Sequence, residues 1–213
     1  MRRLIAFVNQ KGGCGKSTSA VHHCAWLQNQ GFSVVLIDAD TQHSSSDWAS
    51  CLPDPIQSEA ITTADALLDR VPEIKADRIV IDAPAGLAEE SRAVLYLADL
   101  VCIPIQASGL DLRSSGETFR RVRQVQRLRS GNPIARSFIS RSTQGTRLEQ
   151  EAIAALDSIE DISRLNTIVR QRTSIADASV QQCTVEFRIP RDPNAINELS
   201  ALSMEIEALT QAL

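Results

Sequence analysis

Leu4-Ile5-Ala6-Phe7-Val8 runs directly into Asn9-Gln10-Lys11-Gly12-Gly13-Cys14-Gly15-Lys16-Ser17-Thr18, and this junction decides the fold. Five apolar residues without alternation read as a strand buried on both faces. The glycines at 12, 13 and 15 let the chain turn sharply. From about Lys16 to Gln30, Ala20, Val21, Cys24, Ala25 and Leu27 then recur at helical spacing, with Gly31 placed to stop the helix. Strand, glycine loop, helix is the context in which a loop cradles phosphate, because backbone N–H groups and the positive helix end face the anion. Lys16 is placed to reach the β- and γ-phosphates of a nucleotide, and the Ser17 hydroxyl to ligate Mg2+. Lys11, Gly12, Gly13, Cys14, Gly15 and Thr18 complete the predicted nucleotide-binding set. The usual G-x-x-x-x-G-K-[ST] pattern fails at its first position, where Gln10 stands. The loop opens instead with a second lysine, Lys11.

Outward from the loop, apolar runs recur at Ser33–Asp38, Arg78–Asp82, Leu100–Ile105 and, more weakly, Ala135–Ile139. Helical patterns lie between and after them, at Ile61–Leu68, Ser91–Ala98, Leu112–Leu128, Leu148–Leu156 and Asn194–Leu213. Buried strands alternating with helices predict an α/β fold, a mostly parallel sheet with helices on both faces. The 213 residues suit one domain over 1–213, with no linker or internal repeat to divide it.

In a parallel sheet, strand C-termini lie at the same end as the loop. Asp38-Ala39-Asp40-Thr41-Gln42 ends the second run, and Asp82-Ala83-Pro84-Ala85-Gly86 ends the third. A lone aspartate at a strand end commonly caps the next helix. Beside a phosphate loop, Asp82 instead reads as the carboxylate held near Mg2+ through a water.

The loop K-G-G-x-G-K-S resembles the deviant Walker A loop of the ParA/MinD superfamily of ATPases, whose pattern is K-G-G-x-G-K-[ST]. Asp38–Gln42 is similar to the family's D-x-D-P-Q, with Thr41 in place of proline, and Asp82–Gly86 to its D-x-x-G switch. Leu100–Asp111 resembles a further family stretch, and Thr167-Ile168-Val169-Arg170-Gln171-Arg172 the late I-x-R-Q-R segment of small, single-domain ParA proteins. The resemblance implies ATP and Mg2+ as cofactors and a homodimer formed with ATP, with Lys11 touching the partner's nucleotide. It implies that Asp40 positions the attacking water and that Asp38 supports the metal shell, beside Ser17 and Asp82. It places the late segment near the adenine. It also implies nonspecific DNA binding, a small centromere-binding or cargo-adaptor partner that stimulates hydrolysis, and a nucleoid-associated, cytoplasmic setting. No N-terminal helix-turn-helix extension is expected, since the first strand begins at Leu4.

Charge distribution points the same way. The chain is net −4, yet residues 113–147 carry nine arginines against Glu117 alone. Only three lysines occur, two of them Lys11 and Lys16. Arg113, Arg120 and Arg127 repeat every seven residues on one helix face, and few acids lie nearby in sequence to pair with them. That concentration reads as a polyanion surface. Arg120 and Arg127, with Arg147 and Arg172, are the candidate DNA contacts. Val122, Val125 and Leu128 are expected to cover the sheet.

Other functions fit less well. The five cysteines form no C-x-x-C and predict packed thiols rather than a metal site. The absence of cysteine from Ala83–Arg92 argues against an electron-transfer ATPase resembling the nitrogenase iron protein. A final helix bearing Glu198, Glu205 and Glu207, with no Lys or Arg after Arg191, is a poor match for anionic lipid. A MinD-like membrane cycle, and any membrane partner, is therefore not expected. That helix is predicted to pack on the sheet.

Overall fold

The computed structural model describes residues 1–86 and 89–213, and the side chains of all of these except 109–113. Seven strands form one sheet in the order β3-β2-β4-β1-β5-β6-β7: β1 (Arg3–Phe7), β2 (Val34–Asp38), β3 (Ser58–Ala60), β4 (Arg78–Asp82), β5 (Leu100–Gln106), β6 (Ile134–Ser142) and β7 (Arg164–Arg170). Every pairing among the described residues is parallel, so the sheet is more uniform than expected. Eight α-helices cover it: α1 (Lys16–Asn29), α2 (Ser44–Ser50), α3 (Ala64–Arg70), α4 (Glu89–Leu97), α5 (Gly109–Leu128), α6 (Arg147–Asp157), α7 (Thr173–Val180) and α8 (Pro193–Gln211).

Alternation along β1 explains why it reads as continuously apolar. Leu4, Ala6 and Val8 join a core with residues of α3, α4, α5 and α6, among them Leu67, Val94, Phe119 and Ala152. Ile5 and Phe7 join the opposite core, with Val21, Cys24 and Leu27 of α1, Trp48 of α2, Ala178 of α7 and Leu199, Leu202 and Ile206 of α8. Burying each large side chain stabilises the fold by about 1.5–3 kcal/mol. Four of the cysteines are buried and all five are free thiols. Of the residues expected to line the sheet from α5, Val122 and Val125 are buried, while Leu128 is 80% exposed.

The final helix packs on the sheet as expected, but its acids do not form an outer acidic face. Glu207 makes a buried two-pronged ion pair with Arg78, whose guanidinium also lies over the Phe32 ring. Glu205 accepts hydrogen bonds from the Asn166 and Thr167 amides and the Thr167 hydroxyl, and Glu198 from the Arg170 amide. Three backbone donors of edge strand β7 are thereby satisfied by carboxylates.

Candidate functional site

The junction after β1 forms as the sequence predicts. Gly13 (φ 73) and Gly15 (φ 100) occupy left-handed conformations, and Gly15 caps α1. A Cβ on Gly15 would lie 2.7 Å from Ser140 Oγ, so only glycine fits there. Asn9 anchors the entry: its Nδ2 donates to the Pro104 carbonyl at 2.7 Å and its Oδ1 accepts from the Lys11 amide at 3.1 Å. Lys16 is buried, with Nζ donating to the Lys11 carbonyl at 3.1 Å. That carbonyl also accepts from the Cys14 thiol at 3.2 Å. The loop is thus wound around its own first peptide, and the Lys16 ammonium keeps further donors for an anion.

A cavity of about 640 Å³ opens beside the loop, lined by Gly13, Gly15, Lys16, Ser17 and Thr18 on one side and by Gln171, Arg172, Thr173, Ile175, Ala176 and Ser179 on the other. Arg141 also lines it. Its size is that of a small-molecule site. One wall offers backbone N–H groups and a lysine; the other is a helix carrying apolar Ile175 and Ala176. Lys11, Gly12, Cys14, Asp38, Asp40 and Asp82 do not line it.

Asp38 and Asp82 stand side by side in register, the last residues of β2 and β4. Both are buried, and they differ in what they bond. Asp38 Oδ2 accepts from the Ser45 amide (3.0 Å), the Ser46 amide (2.9 Å) and the Ser46 hydroxyl (3.0 Å), and Oδ1 from the Asp40 amide (3.1 Å). Asp38 therefore caps the start of α2. Asp82 Oδ1 is buried without a hydrogen-bond partner among the described residues. Burial pushes its pKa up to about 6, with Asp38 adding to the rise and Ser17, Ser45 and Lys16 opposing it. A buried carboxylate oxygen without a donor, beside a serine hydroxyl, is a hard-oxygen pair suited to Mg2+. Among the described residues no group of three or more His, Cys, Asp and Glu could hold a metal ion. Asp40 is half-buried, and its Oδ1 accepts from the Gln42 amide at 3.0 Å.

The arginines separate into groups. Arg172 pairs with Glu198 of α8 and with Asp192 at its N-cap, and it lines the cavity. These acids lie well beyond Arg172 in sequence. Exposed Arg120 pairs with Glu117, Arg123 with Asp161, and Arg147 with Glu151. Glu117 and Glu151 are neighbours within one helix turn, and only Asp161 is brought to its arginine from far away in sequence. Arg127 is exposed and makes no ion pair among the described residues. The side chain of Arg113 lies outside the described residues.

The model of the CobQ/CobB/MinD/ParA nucleotide-binding domain matches residues 5–185, and the chain belongs to that family. The maintenance of carboxysome distribution protein A of Halothiobacillus neapolitanus is 26% identical over 209 residues, covering 95% of each chain. The chromosome-partitioning ATPase Soj of Thermus thermophilus is 24% identical, covering 98% of this chain and 97% of its own. The solved McdA–ATP complex from Cyanothece superposes with a TM-score of 0.78 at 17% identity, over 97% of this chain and 96% of that one. That likeness shows the shared fold. No helix among the described residues is long and apolar enough to cross a membrane.

Proposed function

We propose that the chain is a single-domain ATPase that binds Mg2+-ATP, dimerises on it, and uses DNA as a track to position a plasmid or chromosomal cargo. The observation that carries this reading is the loop with two lysines, one buried beside the cavity and one at the loop's head. In it, the amides of residues 12–18 cradle the phosphates and Lys16 neutralises the β- and γ-phosphate charge. Ser17 and Asp82 hold Mg2+, Asp82 through water, and the ion supplies charge neutralisation at the phosphate oxygens. Asp40 orients the attacking water. Lys11, outside the cavity of its own chain, delivers its charge to the partner's nucleotide, which makes dimerisation depend on ATP. Arg127 and Arg120 of α5, with Arg147, contact DNA phosphates, and an exposed ion pair such as Arg120–Glu117 is weak enough to yield to them. A small adaptor protein stimulates hydrolysis, and the setting is cytoplasmic and nucleoid-associated.

A second cargo, a protein organelle, is favoured by the full-length similarity to a carboxysome distribution protein. The partner that raises turnover discriminates: a centromere-binding protein for the first, a shell-associated protein for the second. The switch itself is tested by salt-titrated mobility shifts on unrelated duplexes with ATP, with ADP, and with Lys11→Ala. Binding is expected only for the parent with ATP, with a log–log salt slope growing by about 0.9 per phosphate contacted. Equal binding in ADP, or dependence on one DNA sequence, refutes the reading.

A further inference from the structure

A loop that turns its N–H groups toward phosphate turns carbonyls the other way, and each of those needs a donor. The Gly13 carbonyl has two: Gln106 Nε2 at 2.9 Å and Arg141 Nη1 at 2.7 Å. The two side chains come from adjacent strand ends, since Gln106 pairs with Ser140 across β5 and β6 and Arg141 follows Ser140. Ser140 is itself the residue that packs against Gly15. The end of β6 therefore meets the phosphate loop at both of its left-handed glycines.

Two further observations single out Arg141. Its φ of 53 is left-handed, an uncommon state for a residue with a Cβ, and one that persists where surrounding structure imposes it, often at ligand sites. It is also one of two arginines lining the cavity, and their charges are not equivalent. Arg172 is balanced by Glu198 and Asp192, whereas Arg141 has no carboxylate partner among the described residues. A guanidinium carries five N–H donors, and the Gly13 carbonyl uses one of them.

We propose that Arg141 is a nucleotide-binding residue of the cavity: with Gln106 it holds the Gly13 carbonyl turned out of the phosphate site, and its free donors contact the polyphosphate. It is then a second cation on the same chain as Lys16, reaching the phosphates from the β6 side. This rests on the nucleotide-binding reading above and adds a residue to it.

The experiment is calorimetric titration of the full chain with AMP, ADP and ATP. Arg141→Ala is expected to weaken ATP binding about 10- to 100-fold, the size of a lost charge-assisted contact. The loss should shrink from ATP to ADP to AMP. Gln106→Ala alone should cost about threefold or less, since Arg141 still satisfies the carbonyl. The double variant should lose more than the product of the two, because the carbonyl then has no donor. Arg141→Lys, which keeps the charge, should recover part of the loss for ATP and guards against a misfolded alanine variant. If the parent binds no nucleotide, the function reading falls and this inference with it. If the parent binds and Arg141→Ala stays within twofold, or weakens AMP as much as ATP, the inference alone is overturned.

Discussion

Asp38 and Asp82 are the same residue type, at paired positions of adjacent strands, buried alike and facing the same end of the sheet. One caps a helix, and the other leaves a carboxylate oxygen without a donor among the described residues. The difference comes from the path the backbone takes on leaving each strand. After β2 the chain turns through residues 39–43 into α2, whose Ser45 and Ser46 amides fall back on Asp38. After β4 the chain passes through Ala83–Gly86, where the Gly86 amide donates to the Gln10 carbonyl, and among the described residues no amide reaches Asp82 Oδ1. The role of a strand-end carboxylate is decided by the next few residues of backbone, not by the strand.

The largest expected effect sets the pH window in which this pair can be compared. Burial pushes His22 and His23 of α1 down to about 4. Their folded pKa lies below the unfolded value near 6.5, so the unfolded chain binds more protons and stability falls as pH drops from 6.5 toward 4. At 1.36 kcal/mol per unit this is about 3.4 kcal/mol for each histidine and about 7 for the pair. Among the described residues neither nitrogen of His23 has a hydrogen-bond partner, and its ring lies against Phe7 and Trp26. His23→Phe should therefore remove about half of the acid loss. Urea unfolding at pH 4.5 and 7.5 measures it; an unchanged acid slope would mean that His23 is not held neutral.

Within that window, Asp38→Ala should cost about 3–5 kcal/mol, because four donors lose a buried carboxylate acceptor. Asp82→Asn should go the other way. The folded pKa of Asp82 is raised, so its proton stabilises the fold fully below about 4, and that contribution is lost as pH rises through 6. Above pH 6 the ionised group costs the metal-free fold about 3 kcal/mol, a penalty asparagine does not carry. Asp82→Asn should thus be more stable than the parent at pH 8, keep about half of that advantage at pH 5 and lose it below about pH 4. If both substitutions destabilise equally at pH 8, the distinction between the two aspartates fails.

The smallest effect is the most specific. Adding Mg2+ to the nucleotide-bound parent should raise unfolding free energy by about 1 kcal/mol or more through ligand linkage. Asp38→Asn should keep that increment and Asp82→Asn should lose it. The reverse pattern, read by thermal melts with and without Mg2+, would exchange their roles.

Much of this site could be read from the sequence because its parts are contiguous. The loop, α1 and the doubly buried strands β1, β2, β4 and β5 declare themselves in runs of five to seven residues. Elements stabilised from a distance do not. Ser58-Glu59-Ala60 is a strand only because it pairs with β2, and β7 is an edge whose outward amides rely on acids about 30 to 40 residues later. A helix cap is an ordinary role for an aspartate at a strand end, but the amides that decide it for Asp38 belong to a short polar helix with no apolar period. Arg141 carried no signal at all: it sits in an arginine-rich stretch, and its partner carbonyl lies 128 residues earlier. Asp161 and Glu198, which balance Arg123 and Arg172, were equally out of sight.

The carboxylates along β7 bear on how two copies of this chain can meet. An open parallel edge would accept another strand and let sheets join sideways into a continuous ribbon. Here Glu198 and Glu205 already occupy the Arg170, Asn166 and Thr167 amides. An incoming strand would have to displace ionised acceptors from those donors and bring its own carbonyls up against negative charge. Lateral growth at that margin is closed.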